Sequence, residues 1–351
     1  MTTAALTQGV IDRALRARAF SAVSAEIGGA AGPRWTYAAG RLGFDEATPP
    51  VDTGTIFDLA SLTKVLATAT VALQLTARGD LDLETPVRAL VPAWRGEDRA
   101  QVIVRDLLEH CSGLPACRDY HRMLSDRDGF VRAIAHEPLE YAPRTRAVYS
   151  DLGFILLGVV LEQIGGRSLA DQFTSWRAAI GLTDPLDYAP PQEWQSRTAL
   201  TEHYETRGTL LQGIVHDQNT EALGGVAAHA GLFGTAAAVG VAARWWLERL
   251  QGRDDDATGV RASDAQMFTR RSTVPGSSRA LGWDTMLPTS SCGTRMSHRA
   301  IGHTGFTGTS VWIDPARDAY YVLLTNRVLA SNTSDEIQAV RRHFHDAANT
   351  P

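Results

Sequence analysis

The chain has 351 residues, long enough for one large domain with an insertion or for two domains that share an interface. Its composition, 44% hydrophobic and 21% charged with 31 Gly and 15 Pro, is that of a globular protein and excludes disordered, collagen-like and coiled-coil classes. The 34 basic and 39 acidic residues give a net charge of −5 without any block of like charges, which argues against nucleic acid or an anionic membrane as a partner.

The amino terminus and the cysteines bear on cellular location. The amino terminus has no basic patch followed by an apolar segment, and no later segment approaches the length of a transmembrane span. We therefore expect a soluble, cytoplasmic protein with no membrane partner. Three cysteines are an odd and sparse set, which favours free thiols, with a disulfide between Cys111 and Cys117 as the alternative.

Strand patterns stand at both ends of the chain. After a peripheral helix predicted for residues 7–19, two β-type runs joined by glycines predict a hairpin over residues 22–40. Strand signals return late, in residues 280–283, 310–313 and 319–324. A last helix is predicted for residues 334–347.

Helices and loops fill the middle of the chain. Apolar residues at helical spacing predict a helix over residues 61–78, and residues 152–164 are apolar on all sides, as in a core helix. Shorter helices are predicted for residues 104–109 and 128–135. The order of elements predicts an α+β protein, with one sheet domain from residues 1–78 and 250–351 and a mostly helical domain from residues 79–249 inserted into it.

A single lysine stands out in the composition, because 33 of the 34 basic residues are arginine and only Lys64 is lysine. A buried lysine can lose its proton and act as a base, which an arginine in a protein cannot do. Ser61 precedes it by three residues, so on a helix the hydroxyl and the amine lie on one face and the amine can activate the hydroxyl. The alternative is a serine N-cap and a solvated lysine left by codon bias.

The segment Tyr149-Ser150-Asp151 comes directly before the apolar helix. A lysine ammonium favours the phenolate of a neighbouring tyrosine, so Tyr149 could relay protons between a nucleophile and a leaving group. Ser150 and Asp151 are equally ordinary as N-caps of the helix that follows.

A third polar segment, residues 302–310, enters a predicted strand and is rich in glycine. Glycines let a ligand approach the backbone, and a free strand edge could hydrogen-bond an extended amide or ester. His303 could donate to a substrate carboxylate there. The alternative is a loop with a surface histidine.

Together the three segments resemble the serine β-lactamase and penicillin-binding-protein superfamily, in which Ser-x-x-Lys opens a helix, Tyr-x-Asn follows, and a Lys-Thr-Gly-like strand comes last. The similarity is closest to the branch with class C β-lactamases, β-lactamase-like esterases and D-aminopeptidases. It extends from about Gly40 to Arg327, with further similar stretches at residues 57–60, 107–115 and 324–327.

The resemblance implies a β-lactamase/transpeptidase-like fold, in which helices flank an antiparallel sheet and an all-helical domain is inserted. It also implies acyl transfer: Ser61 attacks a carbonyl and forms an acyl-enzyme, while Lys64 and Tyr149 share the roles of base and acid. The oxyanion hole of the family would be the backbone N–H groups of Ser61 and Phe306, the residue after the Thr304-Gly305 pair.

Two departures from the family pattern affect the expected chemistry. Asp151 stands where the family often has Asn, so a carboxylate would face Lys64 and hold it as an ammonium, leaving Tyr149 as the better base. His303 replaces the Lys of Lys-Thr-Gly, which class C β-lactamases use near the β-lactam carboxylate. Lactamase activity is therefore less expected, and a histidine there predicts pH-dependent substrate affinity between about pH 5 and 8.

A fourth polar segment contains His216 and Asp217, which could wall the cleft and touch substrate or could form a turn and a helix cap. Other His, Asp and Glu residues lack metal-ligand spacing, and no phosphate loop or dinucleotide fingerprint is present. We therefore expect no metal and no cofactor. The adjacent Trp245 and Trp246 are expected to serve packing.

The sequence thus predicts a serine hydrolase whose partner is a small-molecule substrate. A small ester is the first expectation, a D-amino-acid peptide or amide the second, and a β-lactam the third, while transfer to an acceptor other than water would use the same residues. The rival hypothesis is a non-enzymatic penicillin-binding-like sensor that kept the pocket. The retained trio of Ser61, Lys64 and Tyr149 argues against it.

Overall fold

The computed structural model describes residues 2–204, 209–330 and 334–350. The strands in chain order are β1 (Ala22–Gly29), β2 (Gly32–Gly40), β3 (Phe57–Asp58), β4 (Leu186–Tyr188), β5 (His203–Tyr204), β6 (Thr209–Leu210), β7 (Leu232–Gly234), β8 (Asp284–Thr285), β9 (Ile301–Thr304), β10 (Ser310–Asp314) and β11 (Ala319–Thr325). The α-helices are α1 (Thr3–Arg16), α2 (Thr70–Ala77), α3 (Val87–Leu90), α4 (Val104–Leu108), α5 (Arg127–His136), α6 (Asp151–Gly165), α7 (Leu169–Ala179), α8 (Gln192–Gln195), α9 (Gln218–Ala222), α10 (Ala236–Leu250), α11 (Ala262–Phe268) and α12 (Ser334–Ala348).

The main sheet joins the two ends of the chain. Within the described residues it has six strands in the order β2-β1-β11-β10-β9-β8, and each neighbouring pair is antiparallel. The register places Val23 of β1 opposite Thr325 of β11, and Val311 of β10 opposite His303 of β9. The predicted α+β class, with helices flanking an antiparallel sheet built from both termini, is confirmed.

Helices cover both faces of the sheet. Side chains on both faces of its central strands are therefore buried, and these strands are continuous apolar runs in the sequence. On one face Trp312 and Tyr321 form a core that includes Ile11 of α1 and Phe344 of α12. On the opposite face Val311 and its neighbours join a larger core that continues into the helical region. The side chains alternate between the two cores along each strand, as the pleat requires.

The predicted strand over residues 280–283 is wrong. Ala280, Leu281 and Trp283 are buried, but they form a turn around Gly282, which has a φ of +84°, and the strand begins only at Asp284. The apolar run reflects core packing, because the Trp283 ring lies 5.1 Å from that of Trp246. Burial alone does not distinguish a packed turn from a strand.

Residues 61–78 are helical, as predicted, but the helix is irregular. A 3₁₀ turn covers Ala60–Leu62, a π-helical segment covers Lys64–Ala69, and α2 follows. The run Ala60–Ala77 is long and apolar enough to cross a membrane, contrary to expectation, but 83% of it is buried inside the fold. It serves here as a core helix.

The middle of the chain packs around α6, the helix predicted to be apolar on all sides. Leu152, Phe154 and Leu161 of this helix are fully buried, and α2, α4, α5 and α7 contact it. Short strands also occur in this region, where β3 pairs with β7 and β7 with β4. The predicted domain boundaries at residues 78 and 249 stay a prediction.

The cysteine and tryptophan expectations can be compared directly with the structure. Cys111, Cys117 and Cys292 are all free, with Cys117 exposed and the other two buried, so the alternative disulfide is not formed. Trp245 and Trp246 are buried in the larger core, which confirms their packing role.

Candidate active site

Ser61 lies at the turn that connects β3 to the core helix. Ala60, just before it, has a φ of +47°, and its N–H donates to Asp58 Oδ1 at 2.8 Å. A left-handed alanine costs roughly 1 kcal/mol or more, so such a turn persists only where its surroundings hold it. Thr307 donates to the carbonyl of Asp58 at 2.8 Å and Thr309 donates to that of Leu59 at 3.1 Å. The turn is thereby fixed to the β9–β10 connection, and Ser61 is left half-buried in a cavity.

The Lys64 side chain is fully buried, and its amine contacts three oxygens. Nζ lies 3.0 Å from Ser61 Oγ, 2.7 Å from Asp151 Oδ1 and 2.9 Å from the carbonyl oxygen of His229. Burial by itself lowers the pKa of Lys64, but the charge of Asp151 and the neighbouring Tyr149 outweigh it, so the pKa lies above its ordinary value. The resting amine is therefore an ammonium, as expected from the carboxylate at position 151.

Tyr149 lies over the same amine, with Lys64 Nζ 4.8 Å from its ring centroid. Its ring is also 4.7 Å from the ring of His110 and 5.8 Å from that of His303. Burial raises the pKa of Tyr149, and Lys64 and Ser61 lower it only in part. The phenol is therefore neutral at rest and can donate a proton.

The sequence left open whether Ser150 and Asp151 cap the helix or belong to the site, and the structure gives the two residues different roles. Ser150 is the N-cap of α6, since its side chain accepts a hydrogen bond from the N–H of Gly153 at 3.1 Å. Asp151 begins the helix and directs its carboxylate to Lys64. The capping alternative is thus right for Ser150, whereas Asp151 is an ion-pair partner.

The cavity in front of Ser61 has a volume of about 640 Å³, within the usual range for small-molecule sites. Its lining includes Tyr149, Asp151, Thr304 and Phe306. In the described part of the chain, the backbone N–H groups of Ser61 and Phe306 donate no hydrogen bond to protein. Two free N–H groups beside a serine hydroxyl are what an oxyanion hole requires.

Gly305 allows the β9–β10 connection to come this close to Ser61. A Cβ on Gly305 would lie 2.6 Å from the carbonyl oxygen of Leu59 and 3.3 Å from Cβ of Ala60. Strand β8 pairs only with Ile301 and Gly302, so the edge of β9 next to it stays open farther along the strand. An extended substrate could therefore pair with β9, as expected from the glycine-rich segment.

His303 lines the cavity but differs from expectation in its protonation. Its Nδ1 lies 2.9 Å from the carbonyl oxygen of Thr304, so Nδ1 carries the hydrogen and Nε2 is a bare acceptor. Burial, with added repulsion from Arg279 and Lys64, holds the pKa of His303 well below its ordinary value. A shift in this direction disfavours the charged imidazole and argues against the predicted pH dependence of substrate affinity between about pH 5 and 8, which stays a prediction.

His216 and Asp217 line the cavity and also hold it together. The N–H of His216 donates to Asp58 Oδ2 at 2.8 Å, and its Nε2 lies 2.9 Å from Glu202 Oε2. Asp217 caps α9 and pairs with His229 Nε2 at 2.8 Å. This pair fixes His229, whose carbonyl accepts a hydrogen bond from Lys64. Asp217 therefore helps to position the Lys64 amine through His229.

A family model described as Beta-lactamase matches residues 12–343. The protein belongs to the β-lactamase family. The family includes serine hydrolases, and the resemblance to it seen in the sequence is confirmed. A class C β-lactamase from Rhodobacter sphaeroides shares the fold with a TM-score of 0.75 at 18% identity, covering 97% of each chain. The catalytic roles assigned to Ser61, Lys64 and Tyr149 stay predictions, although the structure brings the three side chains together.

Curated family members resemble this chain over most of its length. It is 32% identical to "N-acetylmuramyl-L-alanine amidase" of Bacillus subtilis over 307 residues, which is 78% of this chain and 68% of that protein. It is 31% identical to "Putative D-alanyl-D-alanine carboxypeptidase" of Escherichia coli over 308 residues, 78% of this chain and 70% of that protein.

Solved structures of family members share the fold at lower identity. A "Beta-Lactamase/D-Alanine Carboxypeptidase" from Pseudomonas syringae superposes with a TM-score of 0.77 at 18% identity, covering 98% of each chain. The hydrolase EstCE1 superposes with a TM-score of 0.75 at 20% identity, covering 97% of this chain and 98% of that one. These matches support the β-lactamase/transpeptidase fold.

Two residues next to Tyr149 had been assigned no role from the sequence. His110 accepts from the N–H of Ser150 at 3.0 Å and stacks between Tyr149 and Phe154, so it supports the phenol. Arg279 also lines the cavity, with its guanidinium carbon 5.1 Å from the centroid of the Tyr149 ring. His110 is part of a stretch similar to the family, but Arg279 gave no sequence signal.

Metal-ligating residues do not gather in the family site or elsewhere in the described ranges. No group of three or more His, Cys, Asp or Glu side chains there is placed to hold a metal ion.

Proposed function

We propose that the protein is a serine hydrolase that forms an acyl-enzyme on Ser61. The observation that carries this proposal is the contact of 3.0 Å between Ser61 Oγ and a fully buried amine, Lys64 Nζ. A serine hydroxyl is a weak nucleophile until a neighbouring group takes its proton. A buried amine in contact with the hydroxyl supplies such a group when the amine is neutral.

The protonation states of the resting side chains define the first step. At rest Lys64 is an ammonium paired with Asp151, so the amine acts as a base only after it has released one proton to solvent. Lys64 then takes the proton of Ser61 as Oγ bonds to the substrate carbonyl carbon. The free N–H groups of Ser61 and Phe306 stabilise the resulting oxyanion, each donor contributing about 3 kcal/mol in comparable enzymes.

Collapse of the tetrahedral intermediate breaks the bond to the leaving group, which needs a proton. Tyr149 is neutral at rest and lies against Lys64, so it donates that proton and recovers one from Lys64. Water then attacks the acyl-enzyme, loses its proton to the same groups and releases Ser61. The net reaction is hydrolysis of an acyl compound with no proton gained or lost by the site.

The substrate class is proposed from the relatives together with the cavity. Relatives at 31–32% identity carry the names of an amidase and a D-alanyl-D-alanine carboxypeptidase, which supports amide bonds of small peptides as the first substrate class. Small esters, the first expectation from the sequence, require less help for the leaving group and are proposed as substrates of the same site. β-Lactams stay third, since His303 is neutral.

A covalent probe tests the proposal. A fluorophosphonate should label wild-type protein at Ser61, detected by mass spectrometry, and Ser61→Ala should abolish both labelling and hydrolysis of p-nitrophenyl acetate. Ser291→Ala is a matched control, because Ser291 lines the same cavity but only accepts a hydrogen bond from Trp312. Undiminished turnover by Ser61→Ala, or labelling at another residue, would refute the assignment.

A further inference from the structure

Arg341 of α12 is a buried cation at the edge of the active-site cavity. In residues 2–204, 209–330 and 334–350 no carboxylate lies within ion-pairing distance of it. Burial, with added repulsion from Arg327, lowers the pKa of Arg341 to about 9, which leaves the guanidinium charged at neutral pH. A buried charge without a counterion is costly, so the groups that it does contact indicate its role.

The contacts of Arg341 are two backbone carbonyls of the β9–β10 connection. Its Nη2 donates to the carbonyl oxygen of Gly305 at 2.7 Å and to that of Thr309 at 2.8 Å. Its Nε is buried and has no hydrogen-bond partner among the described residues. The positive charge of the side chain is therefore directed at these two carbonyls and is not shared with an acid.

The carbonyl of Gly305 belongs to the same peptide group as the N–H of Phe306, the proposed oxyanion donor. Because the peptide group is conjugated, a cation at its oxygen withdraws electrons from its nitrogen and makes the N–H a stronger donor. The N–H of Gly308 donates to the same oxygen at 3.1 Å and acts in the same direction. Arg341 can therefore influence the oxyanion hole through one peptide group, without contact with the substrate.

A second arginine contacts the neighbouring peptide group and provides a comparison. Arg327 Nε donates to the carbonyl oxygen of Phe306 at 2.7 Å, and its guanidinium carbon lies 4.5 Å from the centroid of the Phe306 ring. That carbonyl is conjugated with the N–H of Thr307 and not with that of Phe306. Both arginines hold the connection in place, but Arg341 is the one that contacts the peptide group with the proposed donor.

We propose that Arg341 is a positioning residue of the oxyanion hole, which polarises the Gly305–Phe306 peptide group and so strengthens the Phe306 N–H as a donor to the developing oxyanion. This inference rests on the proposed function and adds a residue that acts through Phe306. Its effect is largest where negative charge develops on the substrate oxygen, so it belongs to the chemical step more than to substrate binding.

Two esters that differ in one atom test the role of Arg341. p-Nitrophenyl acetate and its thiono analogue, in which sulfur replaces the carbonyl oxygen, have the same leaving group, and sulfur accepts hydrogen bonds only weakly. We expect Arg341→Gln to lower kcat/KM for the oxygen ester by about 10-fold, less than the ~10²–10³-fold cost of a lost oxyanion donor. The ratio of kcat/KM for the oxygen ester to that for the thiono ester should fall by a similar factor.

This ratio separates polarisation from a structural role, because a misfolded fraction of the protein lowers both rates equally. Arg341→Lys keeps the charge and should recover part of the ratio. Thermal unfolding checks each variant, and Arg341→Met is the second neutral variant should glutamine prevent folding.

The controls are Arg327→Gln and Arg342→Gln. Arg327→Gln loosens the same connection and should lower both rates together, whereas Arg342 follows on α12 and donates to the carbonyls of Pro288 and Ser290. Both should keep the wild-type ratio. An unchanged ratio in a folded neutral variant of Arg341, no recovery in Arg341→Lys, or an equal fall in Arg327→Gln would overturn the proposal. Fluorophosphonate labelling of Ser61 is measured in parallel, so that failure of the serine-hydrolase proposal is recognised separately.

Discussion

Burial of the Lys64 amine costs desolvation energy, which contacts with three oxygens offset. An unpaired ammonium in the core would cost several kcal/mol, and removal of one partner of a buried pair is strongly destabilising. Asp151, Ser61 and the His229 carbonyl together occupy the three N–H donors of the amine. The residue is therefore held at one distance from the nucleophile.

Replacement of Lys64 by arginine should remove activity while it keeps the charge. An arginine side chain cannot give up its proton, so Lys64→Arg cannot take the proton of Ser61. We expect a loss of about 10²–10⁴-fold in kcat for p-nitrophenyl acetate, the usual contribution of a general base. Thermal unfolding of the variant checks that the larger side chain is tolerated, and near wild-type rates in a folded variant would show that Lys64 acts only as a cation.

Replacement of Asp151 by asparagine should change the pH profile. The carboxylate raises the pKa of Lys64, so its removal lets that pKa fall, and the amine becomes neutral at lower pH. We expect the rising limb of kcat/KM against pH to move down by about 1–3 units in Asp151→Asn, the range typical of a lost ion pair. A rising limb at the wild-type pH would show that it does not report Lys64.

Among elements, the contact between the β9–β10 connection and the start of the core helix determines whether the site exists. Hydrogen bonds from Thr307 and Thr309 reach the carbonyls of Asp58 and Leu59. Both proposed oxyanion donors lie on these two elements, Ser61 on the helix and Phe306 on the connection. A shift of one element against the other would separate the two N–H groups.

Gly305→Ala should therefore affect both stability and activity. The added Cβ would lie 2.1 Å from Thr309 Oγ1 and 2.6 Å from the backbone oxygen of Leu59, so the two elements must move apart. We expect a loss of about 1–3 kcal/mol in the free energy of unfolding, as for other overpacked sites, and reduced kcat.

Gly9→Ala is the matched control for this substitution. Gly9 lies in α1, where a Cβ meets only Arg13 at 3.6 Å, and alanine should stabilise the helix by about 0.5–1 kcal/mol. Denaturant unfolding and ester hydrolysis measure both variants. Wild-type stability and activity of Gly305→Ala would contradict the close approach.

For the molecule as a whole, one polar residue ties together distant parts of the chain. Asn326, at the end of β11, accepts from the N–H groups of Ser21 and Ala22 at 3.1 and 2.8 Å. Its amide donates to the carbonyls of Leu42 and Leu200 at 3.3 and 2.9 Å. The end of β11 is thus connected to the start of β1 and to the chain around residues 42 and 200.

The stability of the whole molecule should depend on Glu26, a buried carboxyl between the sheet and α10. Burial raises its pKa from an ordinary 4.5 to about 7, and Tyr320 donates to it at 2.8 Å. Because the folded state keeps the proton longer than the unfolded state, this contribution to stability is fully present below about pH 4.5 and is lost as the pH rises to about 7.

Glu26→Gln should flatten this pH dependence. The wild type should lose about 3 kcal/mol in the free energy of unfolding over that range because of Glu26, at 1.36 kcal/mol per pKa unit, whereas the variant should not. Urea unfolding at several pH values measures the difference, and the exposed Glu46→Gln serves as the control. Parallel curves for the wild type and Glu26→Gln would contradict the raised pKa.

Local patterns were sufficient for the fold class and for the proximity of Ser61 and Lys64. A helix fixes the separation of residues three apart, so Ser61 and Lys64 could be placed together from spacing alone, and the apolar run at residues 152–164 required a core helix. The hairpin at residues 22–40 and the strands at residues 310–313 and 319–324 followed from alternation and turns. These features depend on neighbours along the chain.

Tertiary contacts alone decided the electrostatic environment of the site. His303 was expected to titrate near neutral pH, but burial next to Arg279 and Lys64 keeps it neutral, and no sequence pattern reports burial of that kind. Arg279 approaches Tyr149 across 130 positions of chain and has no motif of its own. Electrostatic environment depends on what surrounds a group in space, and the fold alone brings those groups together.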